Sequence, residues 1–212
     1  MTEVDLQRPG SINWPARLIS ILFHPLLLGV LMAAYMIFWN PDFFVGMPRV
    51  RILRFITFTS NTVVYLLLVV LLLRGLGFSK SILLHTQRER IIPYMVSIIL
   101  YFWTWLVFRN LPDVPVELAD MCFGMFLSAS AALMLNSFFK ISMHAIGVGG
   151  LMGLMVILLR TGHLSSALPL IASILITGMV CSARLADSDH RGFDIVTGLL
   201  VGFLGQIISH WL

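Results

Sequence analysis

Long apolar runs recur along this chain, and most of its charge is confined to the short connectors between them. A run of about 20 apolar residues is the length of one helical crossing of a bilayer's hydrocarbon core. No water is present there to satisfy backbone N–H and C=O groups, so each run must close its hydrogen bonds within itself, as an α-helix. The 212 residues leave room for six or seven such crossings and little else. Composition agrees: 58% of residues are hydrophobic and 11% charged, against about 25% charged in a soluble domain. Mean hydropathy is +0.94. The expected fold class is therefore all-α, an integral membrane helical bundle of six or seven transmembrane helices. A polar tail over 1–14 precedes a single transmembrane domain over 15–212.

The runs predict spans over 15–39, 55–73, 91–108, 117–138, 141–159, 164–181 and 192–211. The first apolar stretch begins near Trp14 and is too long for the apolar region of a cleavable signal peptide, so it is expected to remain as a span. Gly147, Gly149, Gly150 and Gly153 give the fifth run a small-residue face, and Gly198, Gly202 and Gly205 give the seventh another. Such faces let helices approach closely in lipid, where packing drives association. The two cysteines, Cys122 and Cys181, sit in apolar runs and read as buried thiols. The net charge of +4 is scattered over span ends, where basic side chains snorkel or meet headgroups. That pattern points to a lipid bilayer as partner and not to nucleic acid.

The chemistry gathers at three of the connectors. The first holds His85, Gln87, Arg88, Glu89 and Arg90; the second holds Lys140, Ser142 and His144; the third runs from Arg184 through His190 to Asp194. Two spans separate each cluster from the next, so all three surface on one side of the membrane, at the starts of the third, fifth and seventh helices. Helix N-termini carry partial positive charge and unsatisfied N–H donors. With Arg88, Arg90, Lys140 and Arg184 added, the patch suits an anion, and at that depth the natural one is the phosphate of a lipid headgroup.

His190 and Asp194 are four apart, on one face of a helical turn. An Asp that accepts from one ring nitrogen leaves the other basic, an arrangement for a nucleophile or general base, with Arg184 near to hold phosphoryl oxygens. The competing reading is a helix cap in which Asp194 only complements the dipole. His144, at a helix start, is suited to protonate a leaving oxygen, or else to hydrogen-bond a neighbouring span. Arg184 competes with a snorkelling anchor, and Arg88, Arg90 and Lys140 with ordinary topology charges. His24, His85, His163 and His210 read as structural or interfacial, and Asn61, Thr62 and Asn136 as bonds between helices.

The pattern Arg184-x5-His190-x3-Asp194 resembles the third signature of the type 2 phosphatidic acid phosphatase superfamily, Ser-Arg-x5-His-x3-Asp, with Ala183 in place of its Ser. Ser142-Met143-His144 is similar to the second signature, Pro-Ser-Gly-His, with Ile141 for Pro and Met143 for Gly. The first signature, Lys-x6-Arg-Pro, is poorly met: Pro93 stands three residues after Arg90, and Leu83 stands where the Lys would be. The resemblance covers about 80–205 and implies a six-helix phosphatase-like core over about 53–212. It also implies a metal-independent hydrolase of lipid phosphomonoesters or diphosphates that needs no cofactor. His190 would attack phosphorus to form a phosphohistidine, Asp194 would orient it, and His144 would protonate the leaving group. Arg184, Arg90, Arg88, Lys140 and Ser142 would hold the phosphate.

Three other classes remain open on the sequence. A non-catalytic scaffold of the same fold would bind phosphate without turnover. A small transporter would carry its ionisable residues near the midplane on broken helices. A metal hydrolase would use His144, His190 and Asp194 as ligands. Of the 14 Lys and Arg residues, nine fall on the side of the clusters, which by the positive-inside rule would face the cytoplasm. Several of these nine are the candidate phosphate ligands themselves, and the resemblance implies an outward, periplasmic-type site; length and loop economy point to a bacterial inner membrane.

Overall fold

The structure, a computed structural model, describes residues 14–40, 43–44, 47–78, 87–164, 166–187 and 191–212. Residues 1–13 of the predicted tail over 1–14, together with Lys80, His85 and His190, lie outside the described residues, and Trp14 already belongs to the first helix. The described part is helical throughout, with no strand. Six of its helices are long and apolar enough to cross a membrane, and a bent pair supplies a seventh crossing if its halves are one span. The chain is thus a multi-pass integral membrane helical bundle.

The predicted first span is broken. Helix α1 (Trp14–Leu22) and helix α2 (Pro25–Ala34), which continues through a π-helical turn over Tyr35–Trp39, meet at 48°. Pro25 has no N–H to offer the preceding turn, and its ring crowds the carbonyl four residues back. The second half then restarts on its own cap: His24 Nδ1 accepts from the Leu26 N–H at 3.4 Å.

The second span also differs from expectation. Helix α3 (Pro48–Thr59), a π-helical turn over Ser60–Val64 and helix α4 (Tyr65–Gly75) form one span of 28 residues. It starts at Pro48, whose fixed φ suits the first helical position, so Arg49, Arg51 and Arg54 ride on it and do not merely flank it. A helix of that length reaches about 42 Å against a hydrocarbon core of about 30 Å. The surplus keeps the arginines in the headgroup layer.

Helix α5 (Gln87–Arg109), helix α6 (Val116–Leu135), helix α7 (Met143–Arg160), helix α8 (Leu168–Asp187) and helix α9 (Gly192–Trp211) follow in antiparallel succession. The last has the predicted bounds. Helix α8 is shifted: it was expected over 164–181, yet α7 closes at Gly162, which takes φ +76°, and α8 starts only at Leu168. Its end moves on as well, to Asp187, so Arg184 lies in its last turn, where a cation complements the helix dipole.

The closest packing is between α7 and α9, along the two glycine faces. A methyl group at Gly149 would collide with the Leu199 carbonyl, one at Gly202 with the Ile146 carbonyl, and one at Gly198 would lie 2.8 Å from the Ser142 oxygen. Backbone meets backbone here, so no side chain can yield. Gln206, fully buried, lies over Gly124, Gly150 and Gly153 and donates to the Met121 carbonyl at 3.2 Å. One polar side chain in the apolar interior thus ties α6 to α9.

The end of the bundle away from the three clusters is closed by polar ties. Arg54 donates through Nε and Nη2 to both oxygens of Asp113, at 2.7 and 2.8 Å. His163 Nδ1 lies 3.2 Å from the buried Glu117 carboxylate, the Asn40 amide donates to the His163 carbonyl, and His210 Nδ1 lies 3.1 Å from Asp120. These bonds bear out the structural reading of His163 and His210.

Two outcomes follow. Replacing Gly202 by Val should lower stability in detergent by at least the ~1–3 kcal/mol typical of overpacking, read as a fall in thermal midpoint, whereas Gly178→Val, where an added Cβ meets nothing within 4 Å, should change it little. The hydrogen bonds from Arg54 hold the Asp113 carboxyl below its ordinary value. That pair therefore adds stability above the unfolded carboxyl's pKa of about 4 and loses it as pH falls through the folded value. Acidification should lower the midpoint of wild type more than that of Asp113→Asn.

Candidate functional site at the helix-start end

Hydrogen bonds bring the starts of α5, α7 and α9 to one end of the bundle. Arg90, in the first turn of α5, is buried and donates through Nη1 to the Ile141 carbonyl at 3.1 Å. The Ser142 N–H, at the cap of α7, donates to the Asp194 carbonyl at 3.3 Å. Asn136, at the end of α6, donates to the Gln87 carbonyl at 3.0 Å, which ties the α6–α7 connector to the start of α5 and bears out its reading as a bond between helices. Arg184 reaches the same end from below, in the last turn of α8.

The individual side chains hold several roles. Ser142 is fully buried, and its Oγ accepts from the Ala145 N–H at 3.5 Å, so it caps α7. A Ser at this position satisfies one of the four N–H groups that a helix leaves open at its start. The buried Asp194 carboxylate accepts from the Arg191 N–H at 2.9 Å, which is the capping geometry weighed against a catalytic one. His144 Nε2 lies 3.0 Å from the Ser20 carbonyl. A carbonyl can only accept, so Nε2 carries the proton. The break between α1 and α2 explains the partner: at a helix end the last carbonyls lose their intrahelical donors, and His144 serves one of them from the neighbouring span.

Arg88 is exposed on the outer face of α5, and Lys140 is half-buried in the connector before α7. Arg90 and Ser142 are the buried members, adjacent through the Ile141 backbone. The ring of His190 lies outside the described residues; Arg191, which follows it, stands at the start of α9 beside Ser142 through Asp194. Among the described residues no three His, Cys, Asp or Glu side chains group as metal ligands.

Two features of this end were not singled out from the sequence. His24, at the break in the first span, stacks edge-on against His144 with ring centroids 5.5 Å apart. Tyr94 lies one turn after Arg90, on the same face of α5, and its buried hydroxyl has no partner among the described residues. The i, i+4 spacing of Arg90 and Tyr94 was a legible signal. The pairing of His24 with His144 was not, because it depends on the bend.

Compared with known proteins, the chain matches no protein family, no curated protein and no solved structure.

The Ser20 bond gives a test that separates the framework role of His144 from any chemical one. His144→Leu removes the donor to a carbonyl inside the bundle and should lower stability by about 1–3 kcal/mol. His144→Gln, which keeps an N–H donor at similar reach, should recover much of that loss in thermal melts of the detergent-solubilised protein.

Proposed function

We propose that this chain is a membrane-embedded lipid phosphatase, similar to the type 2 phosphatidic acid phosphatase superfamily, that hydrolyses a lipid phosphomonoester or diphosphate. One observation carries the reading. The helix starts that bear Arg90, Ser142 with His144, and Asp194 meet at one end of the bundle, through the Arg90 side chain to the Ile141 carbonyl and the Ser142 N–H to the Asp194 carbonyl, and Arg184 lies in the last turn of α8 at that end. Cationic side chains gathered with helix N-termini at one end of the bundle would suit a phosphate as its charge spreads in the transition state.

In this mechanism a ring nitrogen of His190 attacks phosphorus, and the bond to the lipid oxygen breaks as the phosphoryl group passes to the imidazole. His144 gives that oxygen a proton. Water then attacks the phosphohistidine and releases inorganic phosphate. Arg184 and Arg90 hold the phosphoryl oxygens, with Lys140, Ser142 and Arg88 at the margin, and side chains supply all the cationic charge this route uses. The setting is a bacterial inner membrane with the site toward the periplasm.

The second reading is a phosphate-binding scaffold without turnover. It is favoured by the engagement of both described catalytic candidates in the framework, His144 with Ser20 and Asp194 with the Arg191 N–H.

Phosphate release from a panel of lipid phosphates by the purified protein in EDTA separates the two. The phosphatase should turn over at least one lipid. His190→Ala should slow it on the order of 10³-fold or more, and His144→Gln, which keeps the fold, by about 10²–10⁴-fold. Retention of the lipid phosphate with no inorganic phosphate released is the result the scaffold predicts. Unchanged turnover in His190→Ala would remove the proposed nucleophile.

A further inference from the structure

Tyr94 brings to the helix-start end a hydroxyl that the framework does not use. The residue is 6% exposed, and its oxygen is buried with no hydrogen-bond partner among the described residues. Taking a hydroxyl out of water without giving it a partner costs stability. The Tyr94 ring packs against Ala132 of α6 and Ile141 of the α6–α7 connector, and a phenylalanine would make those same contacts without the cost.

The placement of the ring aims that donor at the candidate site. Tyr94 follows Arg90 by four residues, so the two share one face of α5 with about 6 Å of rise between them. Side chains on a helix lean toward its N-terminus, which brings the Tyr94 phenol back toward Arg90 and the open end. The Arg90 charge is within electrostatic reach of the hydroxyl. Ile141, against which the ring lies, offers its carbonyl to Arg90 Nη1. Next to it Ser142 opens α7 and bonds to Asp194 at the start of α9. An uncommitted O–H donor, a buried cation and the N-termini of α7 and α9 thus converge within one turn of α5. A phosphate offers several oxygens, so one can meet the guanidinium and another the phenol.

We infer that Tyr94 binds the anion at this end, its hydroxyl donating to one phosphate oxygen from the bilayer side while Arg90 holds another. The ligand is a tetrahedral phosphate, on a lipid headgroup or free. The inference rests on the phosphatase reading for the place of the phosphate and adds to it a ligand-binding residue that none of the three clusters contains. The phenol takes no covalent step. Its proton stays on its oxygen, and its task is to fix the phosphate against Arg90.

Tyr94→Phe tests this, because two readouts should move in opposite directions. The full-length protein is melted in detergent alone, with inorganic phosphate, and with a diacylglycerol phosphate in mixed micelles. Without phosphate the variant should melt about 2–4 °C above wild type, since an unpaired buried hydroxyl has been removed. With phosphate it should need about tenfold more ligand to match the rise in wild type's midpoint. Arg90→Gln, which keeps an N–H for the Ile141 carbonyl, should also weaken the response. Adding Tyr94→Phe to it should then cost less than in wild type, because the two residues share one ligand. A response to the lipid where inorganic phosphate gives none supports a headgroup as the ligand; equal responses support phosphate whatever carries it. An unchanged phosphate response in Tyr94→Phe overturns the inference, and so does wild type that responds to neither ligand. A midpoint that falls without phosphate overturns it too, as the mark of a hydroxyl bonded within the framework. If Tyr94→Phe weakens binding and no lipid releases phosphate, the Tyr94 site stands and the phosphatase reading falls. If a lipid is hydrolysed with kcat/KM unchanged in the variant, the reverse holds.

Discussion

The contact between α7 and α9 is the constraint on which the bundle depends. In lipid, apolar side chains gain nothing by leaving the solvent, because the solvent is itself apolar, so helices associate through close packing and polar bonds. Gly149 and Gly202 let the two backbones approach until carbonyl oxygens occupy the space of a missing methyl group. Gln206 then fills the hollow left by Gly124, Gly150 and Gly153 and bonds to the backbone of α6. Because α7 and α9 run in parallel, this contact also sets their starts side by side, and the Ser142 N–H reaches the Asp194 carbonyl. The clustering of polar residues at one end is a consequence of how glycines pack in the middle.

Backbone satisfaction explains the second layer of the architecture. A helix that stops inside or near a bilayer exposes carbonyls that water cannot reach. The first span stops at Pro25, and the ring of His144 comes across from α7 to serve the Ser20 carbonyl. Arg90 and Asn136 likewise donate across the bundle, to the Ile141 and Gln87 carbonyls beside the starts of α7 and α5. Residues that look like reactive groups in the sequence are thus also the donors that hold helix ends together. The bond to Ser20 fixes the orientation of the His144 ring.

The two ends of the bundle are chemically distinct. At the far end, carboxylates meet their partners in pairs: Asp113 with Arg54, Glu117 with His163, Asp120 with His210. At the near end, Arg90 donates to the Ile141 carbonyl and Asp194 accepts from the Arg191 N–H. Asp113 is thus matched by a full cation at the first end, while Arg88, Arg90, Lys140 and Arg184 lie at the second.

The number of crossings and the bounds of α9 were legible in the sequence, because about 20 apolar residues in lipid can only be a helix. Parity, which follows from counting crossings, put the three clusters on one side. The glycine faces of α7 and α9 were legible as faces, though not as each other's partners. Tertiary structure decided the rest: the break at His24, the length of α3 through α4, the shift of α8 that draws Arg184 into its last turn, and the partner of His144. These depend on which helix end lies beside which, and on where a side chain from a distant span can reach an unsatisfied carbonyl. Apolar periodicity records what a helix must bury, whereas such contacts are set only when the helices meet.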